Sequence, residues 1–61
     1  MDAYRETQIR KEFDKGGSIN VIVVENGKEI ENEVFNKDND FIEEVFDFIN
    51  YNENSGYDVY C

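Results

Sequence analysis

The chain has 61 residues, and 15 acidic against 6 basic side chains leave it a net charge of -9. That length allows one domain, residues 1–61, which buries only about 60% of its unfolded surface. The charge excludes roles that need a basic patch, such as binding nucleic acid or an anionic membrane. A single cysteine and no histidine exclude an internal disulfide and a Cys/His zinc site.

Residues 1–15 balance Asp2, Glu6, Glu12 and Asp14 against Arg5, Arg10, Lys11 and Lys15. Residues 16–61 hold eleven acids against Lys28 and Lys37, so they carry all of the -9. Such a body suits a cationic partner; charge bears on association and its rate rather than on fold. Five Phe and four Tyr supply enough apolar area to argue against disorder.

Residues 1–15 read as a helix. They contain no Gly or Pro, and Glu6 and Arg10 stand at i,i+4. Tyr4, Ile9 and Phe13 make a thin apolar face, and Gly16-Gly17 supplies the left-handed end.

Residues 18–35 read as a β-hairpin. A β-branched run, Ser18 to Val24, is followed by Asn26-Gly27, a pair that favours a two-residue turn with positive φ. A regular ladder would set Val23 opposite Ile30, Val21 opposite Asn32 and Ile19 opposite Val34. The other face would pair Val24 with Glu29, Ile22 with Glu31 and Asn20 with Glu33.

Residues 40–51 read as a second helix, with Asp40 as N-cap, Glu43 three residues on, and an apolar stripe through Phe41, Ile42, Val45, Phe46, Phe48 and Ile49. Asn50 to Gly56 reads as a loop, and residues 57–61 as a third strand with Tyr57 and Val59 on one face. The fold class is α+β, in the order α-β-β-α-β. A three-stranded antiparallel sheet in the order 2-1-3 is expected, with helix packing. The second helix is expected over Ile19, Val21, Val23, Ile30 and Val34. Ile22 and Val24, on the opposite face, have two readings: an apolar interface centre within a charged rim, or packing beneath Ile9 and Phe13 of the first helix in three layers. The side of the sheet that the first helix takes stays open.

In that regular register Glu29, Glu31 and Glu33 form a carboxylate row, about 6.8 Å from one to the next. Glu43, Glu44 and Asp47 extend it from the second helix. These six residues are the expected partner-binding surface, with arginines and lysines of a basic protein as counterparts. Tyr51, Tyr57 and Tyr60 are residues of a type favoured at interfaces.

Asn36, Asp38, Asp40 and Asp47 match oxygen-ligand positions 1, 3, 5 and 12 of a calcium loop. Phe41 stands where such a loop needs glycine, so a polar loop is expected instead. No nucleophile–base pair and no phosphate-binding loop occurs, and so short a chain is expected to have no room for a cleft of the size that holds a substrate. The expectation is a binding protein rather than an enzyme, without cofactor or metal. The N-terminus has no apolar run of the signal-peptide kind and the only cysteine is Cys61, so a cytoplasmic location is expected.

In size, charge and a single small α/β unit with acidic rows, the chain resembles the short acidic proteins that phages make to disable bacterial enzymes, anti-CRISPR inhibitors among them. The rows that carry the resemblance are Glu29-Ile30-Glu31-Asn32-Glu33 and Glu43-Glu44-Val45-Phe46-Asp47. The resemblance implies tight binding to a nuclease or CRISPR complex, by competition for its basic DNA channel. It assigns no residue individually. Two alternatives stand beside it: an immunity protein or antitoxin that neutralises a toxin, and a small homodimeric regulatory module that pairs through apolar parts or an open strand edge.

Overall fold

The computed structural model describes residues 2–61. It has the expected order: α1 (Ala3–Gly16), β1 (Ser18–Glu25), β2 (Lys28–Asn36), α2 (Ile42–Asn54) and β3 (Asp58–Tyr60). The sheet is antiparallel with strand order β2-β1-β3, so β1 is central and the crossover through α2 returns the chain to its other side.

Local chemistry sets the ends of α1. Asp2 caps its start, accepting from the Arg5 backbone N–H at 2.7 Å. Gly17, at φ 79, ends it in the left-handed region and donates to the Phe13 carbonyl at 3.0 Å. Ile9 and Phe13 are buried, whereas Tyr4, expected on the same face, stays exposed.

The hairpin turn forms as expected. Asn26 (φ 52) and Gly27 (φ 78) both take positive φ, and Glu25 pairs with Lys28 and Val24 with Glu29. The expected register then fails, because Ile30 is an extra residue in β2. Beyond it Val23 faces Glu31, Ile22 faces Asn32, Val21 faces Glu33, Asn20 faces Val34 and Ile19 faces Phe35. A one-residue bulge moves every later side chain to the other face of the sheet.

Packing explains why the bulged register wins. The regular ladder would turn Asn32 into the core and Phe35 out of it. An unpartnered buried amide costs roughly 1–3 kcal/mol, and leaving a phenyl ring in water forfeits about 1.5–3 kcal/mol. With the bulge, Phe35 is only 9% exposed. Its ring meets Phe48 of α2 edge-on, with centroids 5.5 Å apart at 61°.

One core results. Ile9 and Phe13 of α1, Ile19, Val21 and Val23 of β1, Phe35 of β2, Val45 and Ile49 of α2, and Val59 of β3 form it together. Both helices therefore lie on the same face of the sheet, which decides against the three-layer reading: Ile22 and Val24 have no helix over them. Ile30 and Val34, expected beneath α2, are 45% and 62% exposed.

The second helix is offset from expectation at both ends. Its N-cap is Phe41, not Asp40, and the residue three positions on is Glu44, not Glu43. The Glu44 carboxylate accepts from the Phe41 backbone N–H at 2.7 Å. Asp40 instead accepts from the Asn36 backbone N–H at 2.8 Å. At the other end Asn52 prolongs the helix to Asn54. It is buried, its side-chain amide donates to the Phe48 carbonyl, and its own carbonyl accepts from Tyr57 N–H.

Candidate anionic interface

The bulge divides the expected carboxylate row. Glu29 pairs with Val24 before it and lies on the open face of the sheet. Glu31 and Glu33 pair with Val23 and Val21 after it and lie on the helix side. Both remain exposed, because the helices cover β1 and leave the edge strand bare.

The acidic residues of α2 also separate. Glu43 and Asp47 stand at i,i+4 on an exposed stripe and repel each other mildly. Glu44 lies on the flank shared with Phe48, four residues on, and its carboxylate serves the helix start. Glu33 and Phe35 are two residues apart on one face of β2, and Phe35 stacks on Phe48. Glu33 therefore neighbours Phe35 along β2, with Glu31 the next residue on that face, while Glu44 stands one turn before Phe48 on α2. Glu43 and Asp47 lie on an exposed stripe of α2 and Glu29 on the far face of the sheet. The macrodipole of α2 favours Glu43 and Glu44 in its first turn and offsets part of the repulsion.

Among the described residues the ion pairs are Arg5 with Glu53 at 2.6 Å and the more open Arg10 with Glu6 at 3.9 Å. None of the six candidate carboxylates is in either. Arg5, Arg10 and Lys37 turn instead toward the fold. One Arg5 nitrogen donates to Glu53 of α2 and the other to the Val59 carbonyl of β3 at 3.1 Å, so one guanidinium joins three elements. Its pKa is raised above the ordinary arginine value, chiefly by the hydrogen bond to Glu53. The Arg10 guanidinium lies 5.3 Å from the centre of the Phe46 ring. The Lys37 ammonium donates to the Asp14 carbonyl in the last turns of α1. The expected Glu6–Arg10 pair exists but is loose and exposed; α1 is docked by Arg5 and Arg10 reaching α2, which no short-range spacing announces.

The loop after β2 uses its own oxygens. The Asn36 side-chain oxygen accepts from the Asp38 N–H at 2.9 Å, and Asp40 is engaged with Asn36. Among the described residues no group of three or more His, Cys, Asp or Glu is arranged to hold a metal ion. The expectation that the chain has no room for a cleft needs correction. An open groove of about 730 Å³ runs between α1 and the β1–β3 side, lined by Arg5, Gln8, Glu12, Asn20, Tyr60 and Cys61 among others. It has the volume of a small-molecule site, but Arg5 is already bonded to Glu53 and Val59. Of the three tyrosines, Tyr57 packs against the core, whereas Tyr51 and Tyr60 are exposed at separate places, on α2 and on the open sheet face.

No helix among the described residues is long and apolar enough to cross a membrane. Comparison with protein-family models, with curated proteins and with solved structures finds no match.

Proposed function

We propose that the chain is a binding inhibitor of a bacterial nucleic-acid-handling enzyme, with a CRISPR effector as the first candidate. It acts in the cytoplasm, presenting a DNA-mimicking anionic surface to the enzyme's basic channel. One observation carries this reading: Glu29, Glu31, Glu33, Glu43, Glu44 and Asp47 are all exposed and none is in an ion pair among the described residues, while Arg5, Arg10 and Lys37 make contacts within the fold. The protein neutralises its interior contacts and leaves its outward carboxylates for arginines and lysines that come from elsewhere. Such pairs form charge-assisted hydrogen bonds. They also speed encounter and lose strength as salt rises.

The bulge sharpens which residues matter. In this reading Glu31 and Glu33, together on one face of β2, are the centre of the contact, and Glu29, on the other face of the sheet, lies at its margin. The test is capture of partners from a bacterial lysate containing CRISPR effectors and other DNA-handling enzymes, washed at low and then at high salt. Recovery of a nucleic-acid-binding protein that high salt releases and DNA displaces is expected. Glu31→Lys combined with Glu33→Lys should weaken that binding by roughly 100-fold, with the circular dichroism spectrum unchanged. Full binding and inhibition by that double variant would sink the acidic-surface mechanism.

A further inference from the structure

The two neighbours of the central strand cover it unequally. β2 pairs with β1 along its whole length, whereas β3 pairs only with Ile22, Val23 and Val24. Among the described residues no strand runs beside Ser18, Ile19 and Asn20 on the β3 side. The open groove of about 730 Å³ lies there, with those three residues as one wall and Gln8, Ile9 and Glu12 of α1 as another. Tyr60 and Cys61 stand at its β3 end. Hydrogen-bonding direction alternates along a strand in an antiparallel ladder. The Lys37 N–H donates to the Gly17 carbonyl at 2.8 Å, and these two residues are next in register after Ser18 and Asn36. Gly17, Ile19 and Val21 therefore bond toward β2. Ser18 and Asn20 aim their backbone N–H and C=O into the groove, as Ile22 does toward Tyr60.

We infer that this groove takes an extended peptide segment of a partner protein, antiparallel to β1 as β3 is, with a lysine or arginine opposite Ile19. Hydrogen bonding selects the backbone. Two donors and two acceptors, two residues apart on one strand edge, are matched by another extended chain, the mode of recognition known as strand addition. It would prolong the sheet past the short β3 and cover an edge that is otherwise open.

Charge selects the side chain. A residue opposite Ile19 turns to the same side of the sheet as Ile19, toward α1. Ile9 and Ile19 are buried there, and the Glu12 carboxylate is exposed and in no ion pair among the described residues. Arg5, which also lines the groove, is already held by Glu53. A lysine or arginine can lay its apolar stem over the isoleucines and bring its charged head to Glu12. Residues opposite Ser18 and Asn20 turn to the helix-free face and are less restricted. The groove and the β2 carboxylates lie at opposite edges of the sheet, so this inference does not rest on the proposed function.

The test is an NMR titration of the full chain with the blocked peptide acetyl-Thr-Lys-Thr-Val-Thr-amide. Its lysine falls opposite Ile19 when its first threonine pairs with Asn20. Reductant keeps the exposed Cys61 from forming a disulfide. Amide shifts are expected to concentrate at Ser18, Ile19 and Asn20. At saturating peptide, hydrogen exchange should slow at the Ser18 and Asn20 N–H and stay unchanged at Ile19, which already bonds to β2. N-methylation of the two threonines that face Asn20 and Ser18 should weaken binding roughly tenfold or more, whereas N-methylation of the lysine, whose N–H points away from β1, should not. Glu12→Lys should weaken the lysine peptide roughly threefold and favour the peptide with glutamate in its place, with the circular dichroism spectrum unchanged. The Glu31→Lys, Glu33→Lys protein should bind the lysine peptide within roughly twofold of the parent at physiological salt. Shifts confined to β2 and α2, or none at any peptide concentration, overturn the inference. Equal binding of the peptide methylated at both threonines overturns strand addition, and indifference to Glu12→Lys overturns the basic preference.

Discussion

Strands β1 and β2 share one ladder and differ in almost everything else. In β1 the pattern is regular: Ile19, Val21 and Val23 are buried and the residues between them are not. In β2, one residue longer, only Phe35 is buried. Glu31 and Glu33 point to the same side of the sheet as Val23 and Val21, yet they are exposed while the valines are sealed. Facing the helices is therefore not sufficient for burial; the strand must also lie beneath them. The edge strand is where a small domain can hold several carboxylates without desolvating them. Acidic side chains there also discourage edge-to-edge pairing with another sheet.

The contrast can be broken at its one exception. Phe35→Ala removes the only β2 side chain in the core and its contact with Phe48, and should cost about 3–5 kcal/mol in a urea titration. A loss below about 1 kcal/mol would mean that Phe35 does not anchor β2. Deleting Ile30 sharpens the comparison instead, because it removes the extra residue and leaves a regular ladder with Val23 still opposite Glu31. Stability should change by no more than about 1 kcal/mol, and cross-strand contacts between Val21 and Glu33 should persist by NMR. Loss of those contacts would show that the bulge itself, and not the agreement of the turn with the burial of Phe35, holds the pairing beyond Val23. The smallest effect belongs to Glu33→Lys. On an exposed edge it should alter stability by no more than about 0.5 kcal/mol.

These expectations also mark what was legible in the sequence. The element order, the Asn26-Gly27 turn, the Gly17 helix end and the strand order 2-1-3 all follow from local signals: periodicity, turn residues and loop length. The bulge does not. Ile30 and Val34 look as apolar as Phe35, and only the ring of Phe48, thirteen residues beyond Phe35, decides which of them turns inward. The same limit applies to α1. Its two useful arginines act on Glu53 and Phe46, far along the chain, where i,i+4 reasoning sees only Glu6. The end of α2 was hidden because Asn52, usually a loop residue, bonds back to Phe48. For the candidate interface, the exposure of the six carboxylates was readable from residue type. Their division between two faces of the sheet was not, since one inserted residue reverses the parity of everything after it.

The short turn at Asn26-Gly27 also shapes the order of assembly. The β1–β2 ladder closes across two residues and needs almost no loop entropy, so it forms among the earliest events, on the microsecond scale typical of hairpins at about 1–10 μs. The three residues of β3 must wait for α2 to fold back across the sheet before they find Val24 and Ile22. Non-local pairing of this kind slows a folding reaction more than the amount of structure it adds would suggest. Until β3 arrives, the central strand has one unpaired edge and its apolar side chains are briefly open to water. The crossover, not the hairpin, is therefore the step at which this chain is most exposed to misassociation.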